Sequence, residues 1–275
     1  MLSRRQFVRT VPTLGVFTVA SAELDAQQPQ PAGAEWPAPP PTPAWRDDSF
    51  PSQHPHLARE IVGVAHRDLA RVKELVGAHP SLAKASWDWG FGDWETALGS
   101  ASHVGNRAIA EFLIEQGAPP TIFSAAMLGQ LDVVKAYAAA IPNIHLLRGP
   151  HGIPLAAHAR AGGAQSEPVL QFLTSLGAAA PAMPVVPLSD SDRTSLEGRY
   201  TFGPGPRDAF TVKSQGNLWG IQRDGGELRA LTHIGDLQFH PVGAPAVRVK
   251  FDRAPSGISM SLLDPDLVVT AKRVG

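Results

Sequence analysis

The chain has 275 residues, enough for one large domain or two modest ones with tails. Its 24 basic and 25 acidic residues nearly cancel, which removes the electrostatic argument for nucleic acid or anionic lipid as a partner. No cysteine is present, so disulfides, thiolate nucleophiles and cysteine-ligated metal sites are excluded together.

The first element in chain order is an export signal. Ser3-Arg4-Arg5-Gln6-Phe7-Val8-Arg9 sets two arginines ahead of a weakly apolar run, Val11 to Ala20, broken by Pro12 and Gly15. The run is too short to span a bilayer, which takes about 20 apolar residues. Ala20-Ser21-Ala22 closes it with a small-x-small cleavage pattern. The arginine pair resembles the twin-arginine consensus, departing at Val8 and Arg9; a general secretion signal and a disordered basic arm are the alternatives. The resemblance implies cleavage after Ala22, a periplasmic or secreted location and no stable membrane insertion afterwards. Residues 23–55 follow as a proline-rich linker, with Pro37-Ala38-Pro39-Pro40-Pro41-Thr42-Pro43 favouring extended backbone.

Residues 56–180 carry a repeat. Thr96 to Gly105 followed by Asn106 to Ala118 pairs a small-residue helix with an aliphatic one ending in Gly117, a helix C-cap residue. The pattern returns at Ile122–Gly129 with Leu131–Tyr137, and at Ile153–Ala159 with Pro168–Ala178. An earlier unit runs from Leu57 to Ala78. Neither face of such a pair can be buried by the pair alone, so neighbours must stack. The units resemble ankyrin repeats, although their spacing is unequal.

Between the first two units lies Trp87-Asp88-Trp89-Gly90-Phe91-Gly92-Asp93-Trp94-Glu95. Its rings either cover the groove of the stack or form a recognition surface, where Trp is a common anchor. On the second reading Asp88, Asp93 and Glu95 select a cationic group. The blocks Gly90 to Leu98 and His151 to Leu155 resemble a family of bacterial ankyrin-repeat proteins of unassigned function. That resemblance implies a fold and a binding role, and it brings no catalytic residue.

Residues 181–195 read as a second linker, and 196–275 as a small antiparallel β-domain. Strands are expected at 198–202, 209–213, 218–222, 228–234, 237–240, 246–251, 258–263 and 267–273, separated by turns such as Gln215-Gly216-Asn217. Such a meander curls into a small barrel or half-barrel, with a filled interior favoured over a ligand cavity. The order Leu196 to Tyr200, Gly216 to Trp219 and Val247 to Phe251 resembles the accessory β-domain of exported serine hydrolases. The S-x-x-K block of their catalytic domain is absent.

The 10 histidines do not fall at a helical metal-ligand spacing, so neither a metal nor another cofactor is expected. His103, His151 and His158 are placed on the concave face of the stack. No catalytic set is identified. The expected fold is therefore α+β and multidomain, an ankyrin-like helix-pair solenoid followed by a β meander. The expected role is a non-enzymatic scaffold gripping a protein or peptide through Trp87, Asp88, Trp89, Phe91, Asp93, Trp94, Glu95, His103, His151 and His158. The competing expectation is a hydrolase or small-ligand binder with its site between the helical and β parts. Oligomeric state is open.

Overall fold

Capping residues set where the helices begin. In the computed structural model, which describes residues 52–177, 185–224, 226–264 and 267–274, helix α1 (Pro55–Val64) starts with proline in its first turn behind His54. Helix α2 (Leu69–Ala78) starts behind Asp68, which accepts from the Arg71 amide. Thr96 and Asn106 cap α3 (Ala97–His103) and α4 (Arg107–Glu115) in the same way. A reciprocal Thr121–Ser124 capping box opens α5 (Ile122–Met127), which leads into α6 (Leu131–Ala140). Helices α7 (Leu155–Ala161) and α8 (Glu167–Ser175) complete a fourth pair.

The first helices of the pairs pack in succession, α1 on α3, α3 on α5 and α5 on α7. Ala97, Ala101, Ala125, Ala126 and Ala159 are buried there and let the helix axes approach closely. The second helices contribute Val72, Leu75, Ile109, Leu113, Val134, Val169 and Leu173 to the buried face. Each such aliphatic side chain contributes roughly 1.5–3 kcal/mol when fully buried.

Strands β1 (Ser86–Asp88) and β2 (Trp94–Thr96) form a hairpin between the first two pairs, pairing Trp87 with Glu95 and Asp88 with Trp94. Its tip turns through Gly90, Phe91 and Gly92, all at positive φ. Only the glycines do this freely; Phe91 is held there by its packing.

The C-terminal part begins with helix α9 (Asp190–Leu196), which occupies the end of the stretch expected to be a linker and runs one residue past it. The reason was present in the sequence: Ser189 caps the Asp192 amide, and Asp190 and Asp192 sit in the first turn. Eight antiparallel strands follow: β3 (Gly198–Thr201), β4 (Ala209–Gln215), β5 (Leu218–Arg223), β6 (Arg229–Gly235), β7 (Gln238–Pro241), β8 (Arg248–Ala254), β9 (Gly257–Asp264) and β10 (Leu267–Val274). They close into a barrel, β10 pairing with both β9 and β3, so no strand edge is left free in that sheet.

The barrel interior is packed around Tyr200, Phe239, Val249, Phe251 and Met260, all buried. Helix α9 closes one end: Leu196 joins this core, and the Tyr200 hydroxyl donates to the Leu196 carbonyl at 2.7 Å. At the other end Phe91, from the hairpin tip, packs against the same core.

The described chain is mixed α and β. Helices and barrel belong to one compact unit, Asp47–Gly275. No helix among the described residues is long and apolar enough to cross a membrane. The expected signal (1–22), most of the linker (23–55) and residues 178–184 lie outside the described residues.

Candidate functional site

Strand alternation decides which acids of the hairpin turn inward. In β2, Trp94 faces solvent at 61% exposure, while Glu95 beside it is buried. The strand ends at Thr96, the cap of α3, so Glu95 is held in fixed relation to His103 on the last turn of that helix. His103 Nε2 lies 2.9 Å from Glu95 Oε1. The Trp89 indole donates to Glu95 Oε2 at 2.8 Å. His66, just after α1, brings its Nε2 to 3.0 Å from His103 Nε2.

His151 completes the group. It sits in the short 3-10 turn Pro150–Gly152 at φ 58°, a strained conformation for a residue with a side chain. Asp93 holds it there, accepting its backbone amide at 2.8 Å and its Nδ1–H at 2.7 Å. His151 Nε2 then lies 3.3 Å from Glu95 Oε2. Asp93 in turn is paired with Arg229 of β6, which also donates to the Val242 carbonyl. A Cβ on Gly243, itself at positive φ, would collide with the Asp93 carboxylate, so glycine is required where the barrel meets the helices.

The electrostatics follow from this geometry. Burial pushes Glu95 up, but hydrogen bonds from His103 and His151 outweigh it and hold the carboxyl down at about 2. Asp93 is likewise raised by burial and brought below its usual range by His151 and Arg229. The Asp93 and Glu95 carboxylates push His151 up to about 9. His158 behaves oppositely: buried against Phe123, with neither ring nitrogen hydrogen-bonded, it is pushed down to about 4 by burial and by His103.

A pH prediction follows for the protein in chelator-containing buffer. His151 titrates higher folded (about 9) than unfolded (about 6.5), so its contribution is complete below about 6.5 and lost as pH rises through 9. The melting temperature should therefore fall between pH 7 and 9.5, and a His151→Gln chain should lose most of that slope. An unchanged slope in the variant would assign the effect to other groups.

A cavity of about 960 Å³ lies on the other side of Trp89. Trp87, Trp89 and Phe91 of the hairpin line it together with Phe202, Phe210, Ile221, Leu262 and Val269 of the barrel. Its polar wall carries Arg59, Asp88, Arg223, Glu227 and Asp264. Arg59 pairs with Glu227 through Nε and lies over the Trp89 ring, and Arg223 lies over Phe202.

The residues singled out in the sequence thus divide. Trp87, Asp88, Trp89 and Phe91 line the cavity. Asp93 and Glu95 do not project outward to select a cation; both are buried and engaged with histidines. His103 and His151 join them, whereas His158 is buried beneath His103 rather than exposed on a face. Trp94 points to solvent, away from both features. His66, Arg59 and Arg229 were missed. For His66 a signal existed: it follows the first helix of its unit as His103 ends the first helix of the next, and stacking sets equivalent positions side by side. Comparison with known proteins finds no matching family model, no matching curated protein and no matching solved structure.

Proposed function

We propose that this is a small-ligand-binding protein whose ligand occupies the cavity between the aromatic hairpin and the barrel mouth. The observation that carries the reading is the cavity itself. At about 960 Å³ it is at the upper end of the roughly 300–1,000 Å³ usual for ligand pockets, and its lining comes from both the hairpin and the barrel.

Its walls define the ligand's chemistry. Aromatic faces from Trp87, Trp89 and Phe91 oppose an apolar floor, which calls for a ring-bearing apolar body. Arg59, Arg223, Asp88, Glu227 and Asp264 present donors and acceptors in near balance, so the polar end of the ligand is neutral and hydroxyl-rich rather than strongly charged. An aryl glycoside has this combination. Titrating p-nitrophenyl glycosides against tryptophan fluorescence should give saturable binding in the micromolar to millimolar range. Phe210→Trp, which fills the cavity from the barrel side, should weaken it at least tenfold. Equal affinity in that variant would place binding elsewhere.

A protein partner is the second reading, favoured by a specific feature. Val133, Tyr137 and Ile141, one helical turn apart along α6 and at its end, are exposed together. In this reading the helix pairs form an ankyrin-like stack, as their small-residue first helices suggest, and the stack grips a peptide. For either ligand we place the protein outside the cytoplasm, on the strength of Arg4-Arg5 and the Ala20-Ser21-Ala22 site. The barrel is assigned the part of an accessory domain completing the site.

A further inference from the structure

We infer that His66, Glu95, His103 and His151 form a binding site for one divalent transition-metal ion of the zinc class. The four side chains come from four separate segments, yet one ligand atom from each lies within 4.8 Å of all the others. Their spacing fits an ion. Bonds of 2.0–2.1 Å in tetrahedral geometry place neighbouring ligand atoms about 3.3 Å apart. Here His66 Nε2 to His103 Nε2 is 3.0 Å, His103 Nε2 to Glu95 Oε1 is 2.9 Å, and His66 Nε2 to Glu95 Oε1 is 3.7 Å.

Tautomers point the same way. His66 Nδ1 lies 2.9 Å from the Gly63 carbonyl, which can only accept, so that nitrogen carries the proton. His151 Nδ1 donates to Asp93. With Nδ1 committed to an outer partner in both rings, Nε2 is the nitrogen left to face the buried Glu95 carboxylate. In the metal-free chain a proton on His151 Nε2 bridges that ring to Glu95. A divalent cation would displace that proton and be held by all four groups together.

The outer contacts are those that fix metal ligands. Asp93 behind His151 and the Gly63 carbonyl behind His66 are the partners that set ring orientation and ligand basicity. The Trp89 indole fixes the Glu95 carboxylate through its second oxygen. Three imidazoles and a carboxylate form a nitrogen-rich, borderline donor set, which suits zinc, cobalt, nickel or iron(II) better than calcium or magnesium. The His66 and His151 side chains remain 27% and 23% exposed, so the ion can enter and a water or small ligand can reach it.

The test is calorimetric titration of the chelator-treated full chain with zinc chloride, with cobalt(II) absorption as a second readout. One ion per chain is expected, with intense visible cobalt bands of low coordination number. His66→Ala, at the exposed edge, and His103→Ala should each weaken zinc at least 100-fold. Asp93→Asn should weaken it about 10- to 100-fold, and His145→Ala, outside the cluster, should leave it unchanged. Far-UV circular dichroism checks that each variant is folded; if His103→Ala is not, His66→Ala decides. Absence of saturable zinc binding, a stoichiometry other than one, or wild-type affinity in folded His66→Ala would overturn the assignment.

Discussion

Replacing Asp93 by alanine is expected to destabilise the protein by about 3–5 kcal/mol, the range for breaking a buried pair by removing one partner. Asp93 is buried and serves three donors: the His151 amide, the His151 ring and Arg229. Its loss leaves the Arg229 side chain, only 13% exposed, without a carboxylate, and leaves the strained His151 backbone without its anchor. The cost should appear in chemical denaturation as a lower midpoint. A second replacement, Arg229→Met, should recover part of it, because removing both charges costs less than stranding one. A loss under 1 kcal/mol would mean that Asp93 does not join the barrel to the helices.

Trp89→Phe should separate the two features of the junction. Phenylalanine keeps an aromatic wall for the cavity but removes the indole N–H that holds Glu95 Oε2. Zinc affinity is expected to fall about 10- to 100-fold, as for other partners of metal ligands, while aryl glycoside binding changes less than about fivefold. Trp89→Ala removes the wall as well and should weaken both. If Trp89→Phe leaves zinc affinity intact, the indole–carboxylate contact has no part in holding the ion.

Much of the fold was legible because its signals are local. The helix starts behind Asp68, Thr96, Asn106 and Thr121 fall on residue types that cap helices, a signal each segment carries locally. The strands lie close to their expected positions because alternation and turn glycines are short-range. The site was harder to read for a physical reason. Glu95 and His103 are 8 positions apart, but His66 lies 37 positions before His103 and His151 arrives from a later turn, so no fixed spacing marks the set. On the recognition reading Glu95 would have faced a cationic ligand; the two-residue period of β2 puts it inside instead. Arg229 could not have been anticipated, since its partner lies 136 positions away in another part of the fold.

Cavity and cluster share the hairpin: the residues of one strand pair face the barrel mouth on one side and the histidines on the other. This explains why Trp87 to Glu95 is the least generic stretch of the chain. Its aromatic residues wall the cavity, and its carboxylates anchor the polar network that joins the helices to the barrel.

A ligand site enclosed by the hairpin and the barrel mouth can be seen in a crystal structure of the full chain soaked with a p-nitrophenyl glycoside. The aryl ring is expected between Trp89 and Phe210, with sugar hydroxyls against Arg59, Asp88 or Glu227. A ligand bound elsewhere, or a cavity holding only water at saturating concentration, would contradict it.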